Sequence, residues 1–393
     1  MKLSIGTVVR PCTVPKFKCV SSSLPVQQTF KPARLGQRWT EYQGVRNWEG
    51  LLDPLDDNLR GEILRYGKFV EATYKAFDFD TSSPSYATCR FSKSALFHHC
   101  GLPGTGYRVT KNLHVTSGIQ LPRWIHKAPN WMSNRTSWIG YVAVCQDEDE
   151  IARLGRRDVV VAYRGTTTCL EWLENLRATL THLPKVGPEP MVGTGFLSLY
   201  MSGTAEYRSL QEEVREEIDR LLQRYGDEPL SLTITGHSLG AALATLTGHD
   251  ITTTFNHAPL VTVISFGAPR VGNRSFRRHV EKSGSKILRI VNSQDPVTKV
   301  PGFVIDEEED EVSSRNAIQV AGLPSWIALQ TQWVYADVGT ELRVSSRDSP
   351  YLSGPTTNVA TCHELDTYLH LVNGFVSSKC PFRATATITK VVG

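Results

Sequence analysis

The pentapeptide Gly236-His237-Ser238-Leu239-Gly240 has the spacing G-x-S-x-G, a serine framed by two residues too small to obstruct it. A serine hydroxyl so placed can attack an ester carbonyl, provided that an imidazole takes its proton. The flanks supply the geometry such a nucleophile needs. Leu230-Ser231-Leu232-Thr233-Ile234-Thr235 alternates like a buried strand, and the run from Leu239 to Asp250 is rich in Ala and Leu and free of Pro, which reads as helix. The serine then sits on a sharp strand-to-helix turn, where Gly236 and Gly240 relieve the crowding. The bland reading of the same spacing is an ordinary βα turn. Strand and helix together favour the nucleophile.

A serine nucleophile works with a histidine base and a carboxylate that orients it, and in the α/β-hydrolase arrangement these follow in the order Ser, acid, His. Asp295 stands out among the downstream acids. It follows the strand-like run Lys286 to Val291, and Pro296 forces the chain into a loop, so the carboxylate falls on the same sheet edge as the serine. Asp-Pro is also a common turn pair, and a turn cap is the other reading of Asp295. After Asp295 only His363 and His370 remain. Seven residues apart, they share a helix face, so periodicity does not separate them. His363 lies at or just before the start of a helix whose buried stripe is Leu365, Leu369, Val372 and Val376, where a loop can present it. His370 lies inside and reads as a packing or hydrogen-bonded neighbour.

Acyl transfer also requires donors for the developing oxyanion. The backbone N–H of Leu239 is one. A second is expected from the loop Tyr163-Arg164-Gly165-Thr166-Thr167-Thr168, which follows another predicted strand. Beyond it, the short amphipathic run Leu170 to Leu176, with Trp172 and Leu173, has the composition of a lid over an apolar substrate, and equally that of a surface helix.

The elements that must hold these residues follow an α/β rhythm. A helix is expected from residue 59, with Leu59, Ile63, Tyr66 and Val70 on one face, and residues 78 to 135 read as irregular or short-strand structure. Strands are expected at Trp138 to Val144, Asp158 to Tyr163, Leu230 to Thr235, Leu260 to Ser265 and Lys286 to Val291, with a helix from Glu206 to Tyr225 buried through Leu210, Val214, Ile218 and Leu221. Strands alternating with helices predict a mostly parallel sheet flanked by helices. The acidic run Asp306 to Glu311 reads as a solvated loop.

Composition narrows the classes. The chain has 393 residues, 40% hydrophobic and 21% charged, enough for a large core, and no apolar run approaches the roughly 18–20 residues that span a bilayer. Seven cations (Lys2, Arg10, Lys16, Lys18, Lys31, Arg34, Arg38) precede the first acid, Glu41, alongside Ser21-Ser22-Ser23 and without an apolar core. That is the profile of a plastid or mitochondrial transit peptide over residues 1–37, with a disordered basic tail as the plainer reading. Without those seven cations the formal charge moves from +4 to −3, so the basic balance implies no nucleic-acid partner. Eight scattered cysteines, with no C-x-x-C, fit a reducing compartment and argue against a zinc ribbon.

Taken together the motifs resemble the class 3 lipases, the fungal-lipase-like α/β-hydrolases with a short lid. The matching pieces are YRGT at Tyr163 to Thr166, WLENL at Trp172 to Leu176, Gly195-Phe196-Leu197-Ser198, the GHSLGAALATL elbow, FGAPRVGN at Phe266 to Asn273, and NSQDPVTKVP ending at Pro301. HELDTYLHLVNGF from His363 is similar to the plant phospholipase A1 branch. Arg38-Trp39, the NWEGLLDPLD stretch and the leader resemble its chloroplast class I group, related to the defective-in-anther-dehiscence lipases. The resemblance covers about residues 37 to 380. It implies Ser238 as nucleophile, Asp295 as orienting acid, His363 as base, and Thr166 and Leu239 as the oxyanion residues, with Gly236, His237 and Gly240 framing the elbow and Leu170, Trp172, Leu173 and Leu176 in a lid. No metal or cofactor is implied.

The expectation is therefore a leader over 1–37 and one lipase domain over 38–393, with an N-terminal part at 38–135 and a catalytic core at 136–380. The resemblance implies cleavage of the sn-1 acyl ester of phospholipids, with galactolipids as further substrates, at a plastid membrane surface met peripherally. Some members supply fatty acids for jasmonate synthesis. The alternatives are a triacylglycerol or monoacylglycerol lipase, a non-catalytic lipase-like signalling scaffold, and a mitochondrial location.

Overall fold

A seven-stranded sheet organises the chain, in the order β1-β2-β3-β6-β7-β8-β9. The computed structural model describes residues 34–116, 136–166, 179–184, 186–204, 207–301, 334–352 and 359–382. These lie in one compact unit, Pro32–Arg383. The strands are β1 (Tyr107–Thr116), β2 (Thr136–Cys145), β3 (Arg157–Tyr163), β6 (Leu230–His237), β7 (Leu260–Phe266), β8 (Lys286–Asn292) and β9 (Thr340–Val344), with a small pair β4 (Leu180–His182) and β5 (Met191–Gly193) apart from them. β1, β2 and β3 pair antiparallel, and from β3 to β9 every pairing in the large sheet is parallel. The five strand runs read from the sequence are all present. The ten-residue β1 falls within residues 78 to 135, where irregular or short-strand structure is expected, and it is longer than that expectation. It alternates polar and apolar residues on an edge strand, so its apolar signal is diluted.

Helices cover both faces. Besides two single turns at Trp39–Tyr42 and Leu96–His99, they are α1 (Asp57–Ala76), α2 (Glu148–Leu154), α3 (Thr194–Met201), α4 (Leu210–Tyr225), α5 (Leu239–Thr254), α6 (Arg274–Ser283), α7 (Val359–His363) and α8 (Leu365–Gly374). α1 begins where the Asp56 carboxylate accepts from the N–H groups of Asn58 and Leu59, satisfying two donors that no helical carbonyl can reach. Leu59, Ile63, Tyr66 and Val70 are all fully buried. α1 and α8 share one core with Phe266, Leu288, Ile290 and Leu342 of the sheet. α3, α4, α5 and α6 share the opposite core with Val161, Leu232, Ile234 and Val263. α4 starts at Leu210, four residues later than the apolar spacing suggests, because Ser209 and Glu212 form a reciprocal capping box there. Val376 lies beyond the end of α8 and is half-buried, while Leu365, Leu369 and Val372 are buried as expected.

The face under α1 carries a polar seam. Asp158, with no exposed surface, accepts from Tyr66 Oη at 3.0 Å, Tyr107 Oη at 2.8 Å and Ser231 Oγ at 2.7 Å, and pairs with Arg65. Glu62, one turn away, takes ion pairs from Arg65 at 2.7 Å and Arg156 at 3.0 Å. Burial opposes the Glu62 charge, but the two guanidiniums outweigh it and hold the carboxyl at about 2. A folded-state value below the ordinary 4.5 stabilises the protein above that pH, and the contribution fades as pH falls towards 2. Its full size is about 3 kcal/mol at neutral pH. Urea unfolding of Glu62→Gln should show a loss of that order at pH 7 and a flatter dependence between pH 5 and 3 than the parent, in the same titration. An unchanged pH slope in the variant would contradict this assignment.

Candidate active site

Four parallel strands end level with one another, and what leaves the carboxyl ends of three of them builds the site. Tyr163 of β3 pairs with Gly236 of β6, and His237 of β6 pairs with Phe266 of β7, which in turn pairs with Ile290 of β8. Arg164, Ser238 and Asp295 therefore emerge along one edge. Ser238 joins β6 to α5 with φ 58° and ψ −123°, a sparsely populated conformation for a residue with a Cβ, costing on the order of 1–3 kcal/mol. The turn is tight enough that a Cβ on Gly236 would collide with the carbonyl of Gly240, and one on Gly240 would lie 2.5 Å from the Arg164 carbonyl oxygen. Ser238 makes no side-chain cap bond to α5, and its carbonyl takes the N–H groups of Ala241 and Ala242, which leaves that of Leu239 for an anion.

Asp295 and His363 are brought into direct contact. The His363 imidazole donates through Nδ1 to Asp295 Oδ2 at 2.6 Å. Asp295 has no exposed surface, and two further donors hold its carboxylate: Val297 N–H to Oδ1 at 2.9 Å and Tyr368 Oη–H to Oδ2 at 2.6 Å. The Asp-Pro turn is real as well, since Asp295 caps the 3₁₀ turn Pro296–Lys299. The two readings of the residue are compatible because its two oxygens take different work. His363 closes α7, Glu364 is extended, and α8 begins at Leu365. That break in helix presents the imidazole at a chain junction. His370 lies within α8 and bonds Ser349 Oγ through Nε2 at 2.8 Å.

Thr166 follows β3 on the far side of the elbow. Its Oγ1 is buried with no hydrogen-bond partner among the described residues, a state that marks either strain or a site for a ligand oxygen. Gly165 runs so close to the elbow that a Cβ there would stand 3.0 Å from Ser238 Cβ. Arg164 sets the peptide plane of this loop. Buried and stacked 3.7 Å from the Phe77 ring centroid, it donates to the carbonyls of Trp138 at 2.9 Å and Gly165 at 2.8 Å. Holding the Gly165 carbonyl fixes the opposed direction of the Thr166 N–H across the planar trans peptide. With no carboxylate beside it, burial pushes the Arg164 guanidinium down to about 10. The lid residues Leu170, Trp172, Leu173 and Leu176 lie outside the described residues, as do the acidic run at 306–311 and residues 1–33.

Sequence reasoning missed Tyr368, Tyr74 and the contacts of His237. His237 is fully within the protein and lies beside His363, with ring centroids 4.7 Å apart. Tyr74 Oη lies 2.7 Å from His237 Nδ1. Tyr368 stands five residues after His363, little more than one helical turn, and that spacing was the available signal.

A strained serine at a strand–helix turn, beside a buried carboxylate–imidazole pair on one edge of a mostly parallel sheet, defines the α/β-hydrolase class. Within it, residues 160–305 match the family model described as lipase (class 3). The chain is 65% identical to Arabidopsis thaliana "Phospholipase A(1) DAD1, chloroplastic" over 385 residues, spanning 94% of this chain and 82% of that one. It is 40% identical to Arabidopsis thaliana "Galactolipase DONGLE, chloroplastic" over 356 residues, 86% of this chain and 70% of that one. A Rhizomucor miehei lipase propeptide complex shares 19% identity across 72% of this chain and 67% of that chain, with a TM-score of 0.44. The chain belongs to the class 3 lipases, and its fold is the α/β-hydrolase fold.

Two substitutions test the geometry. Gly236→Ala forces backbone against backbone and should cost about 1–3 kcal/mol in thermal or urea unfolding while abolishing reaction of Ser238 with a fluorophosphonate probe. Tyr368→Phe leaves Asp295 with one donor fewer, making it more basic and raising the affinity of His363 for a proton. The acidic limb of its kcat/KM profile should move to higher pH, with roughly a tenfold lower kcat. A profile superimposable on the parent would argue that Tyr368 is only packing.

Proposed function

We propose that the chain is a serine acyl-hydrolase that cleaves the sn-1 ester of phospholipids and galactolipids at plastid membranes. The observation that carries this reading is the 2.6 Å contact between His363 and the fully buried Asp295 on the sheet edge that bears the strained Ser238. The names of the relatives, phospholipase A1 and galactolipase, support the substrate class.

In the proposed reaction His363 takes the proton of Ser238 Oγ as the oxygen attacks the sn-1 carbonyl carbon. The carbonyl oxygen becomes an oxyanion held by the N–H of Leu239 and by Thr166, through its N–H and its unpartnered hydroxyl. Collapse of the tetrahedral intermediate breaks the bond to the glycerol oxygen. His363 gives its proton to that oxygen, and the lysolipid departs. Water then attacks the acyl-enzyme by the same route, releasing the fatty acid and restoring Ser238. Asp295 stays ionised throughout and stabilises the imidazolium.

The leader is read as ending short of the expected residue 37, because Leu35 is buried and its N–H donates to the Arg153 carbonyl, and the chain after it is read as one catalytic domain. The composition of the first 38 residues and the chloroplastic names of the relatives support a plastid destination. The rice relative "Phospholipase A1 EG1" is named chloroplastic/mitochondrial. Among the described residues no helix is long and apolar enough to cross a membrane, which fits peripheral contact with the lipid surface.

The test uses protein lacking residues 1–31, which leaves the compact unit from Pro32 intact, beside Ser238→Ala. Phosphatidylcholine and monogalactosyldiacylglycerol, each labelled separately at sn-1 and sn-2, are offered with triacylglycerol alongside. Release of sn-1 label, lost at least about 10³-fold in the variant, is the expected result. Hydrolysis of triacylglycerol alone would overturn the substrate class. Folded protein with no ester hydrolysis on any substrate would overturn the enzyme reading in favour of a scaffold.

A further inference from the structure

We propose that His237, the residue before the nucleophile, is a positioning residue that fixes the base and the oxyanion loop at once, with Tyr74 as its relay. The inference rests on the reading of Ser238 and His363 given above, and extends it to two side chains that touch no substrate.

The geometry determines every proton in the relay. His237 Nε2 lies 2.7 Å from the backbone carbonyl of His363. A carbonyl only accepts, so Nε2 carries the hydrogen. The imidazole is neutral, because burial and the neighbouring His363 hold it well below the ordinary range, and Nδ1 is therefore the acceptor. Tyr74 Oη, 2.7 Å away, donates to it. The Gly165 N–H in turn donates to Tyr74 Oη at 2.9 Å. The hydrogen bonds run in one direction, from Gly165 N–H to Tyr74 to His237 to the carbonyl of His363.

Both ends of that chain matter for the reaction. At one end the backbone of the base is clamped: His237 holds the His363 carbonyl, and Asn292 Nδ2 holds the Cys362 carbonyl at 2.8 Å. Backbone so fixed keeps the imidazole against Asp295. At the other end the loop carrying Thr166 is pinned through Gly165, whose N–H goes to Tyr74 and whose carbonyl goes to Arg164. His237 is covalently joined to Ser238, so the nucleophile's own chain is the common reference for both. A misplacement of about 1 Å at such a centre costs about 10²-fold in rate.

The two halves separate by substitution. In His237→Asn the amide reaches the position of Nδ1, keeps Tyr74 and releases His363. In His237→Gln it reaches the position of Nε2, keeps His363 and releases Tyr74. Tyr74→Phe cuts only the loop end. Hydrolysis of a soluble p-nitrophenyl ester is measured across pH, with the parent and Ser238→Ala as the controls for the reading beneath. If Ser238→Ala hydrolyses as fast as the parent, that reading fails and the relay is left without the reaction it was assigned to serve. If it does not, the variants decide. His237→Asn should lower kcat about 10–100-fold and move the acidic limb to lower pH, because His363 loosens from Asp295. His237→Gln and Tyr74→Phe should lower kcat about tenfold or more, with KM and the limb unchanged.

Activities of all three within about threefold of the parent would overturn the proposal. So would equal losses with an unmoved limb that track lowered melting temperatures, the signature of packing alone. Nitrogen NMR of imidazole-labelled protein gives a readout independent of turnover. His237 should appear as the neutral Nε2–H tautomer throughout about pH 5 to 8, and the Nδ1–H tautomer would overturn the assignment.

Discussion

A carboxylate with no exposed surface is expensive to keep charged, and the catalytic half of this molecule is arranged around one, Asp295. Its three donors come from three places: Val297 in the turn after β8, Tyr368 in α8 and His363 at the end of α7. Satisfying Asp295 therefore requires that β8 be in register, that α8 be docked on the sheet, and that the chain break between α7 and α8 fall where it does. Asn292, at the end of β8, adds a fourth tie through its bonds to Ser346 and to the Cys362 carbonyl. Geometry at His363 is thus a consequence of how a buried charge is solvated by protein.

The opposite end of the sheet repeats the device with Asp158, under α1. Tyr66 of α1 reaches Asp158, and Tyr74, eight residues and about 12 Å further along the helix, reaches His237. α1 is fastened at its middle and near its carboxyl end by phenols donating to buried groups, with Val70 packed between them. The apolar stripe supplies the adhesion and the two tyrosines supply the register. A one-turn slip of α1 would keep most of the apolar burial and lose both polar ends, leaving buried donors and acceptors unmet.

Much of this was legible in the sequence because periodicity reports burial. The runs that became β2, β3, β6, β7 and β8 are almost wholly buried, as strands covered by helices on each side must be, with small Ser and Thr side chains on one face of β6. β1 was legible only as short-strand structure without bounds, because an edge strand carries Arg108, Lys111 and His114 towards solvent or α4. Ser238, Asp295 and His363 were chosen from a turn motif, an element end and chain order. What could not be read was the spatial detail: which Asp295 oxygen faces the base, and that Tyr368 shares it. Tyr74 is 163 residues from its partner, and a single phenol on a helix face carries no signal of a contact across the sheet.

Three histidines near the site show how environment assigns their chemistry. His370 faces a hydroxyl, Ser349, and His237 faces a carbonyl and a phenol. Burial works against an added positive charge in both, and the carbonyl that favours it at His237 does not outweigh that cost. His363 alone of the three has a carboxylate on one ring nitrogen, so it alone gains when protonated. An imidazole that must accept a proton in one step and return it in the next needs that partner. A neighbour that must stay neutral, donating from one nitrogen and accepting at the other, needs the partners His237 has. The same side chain on adjacent segments is thereby fit for two roles, moving a proton and holding a position, and what separates them is the charge of the group across each hydrogen bond.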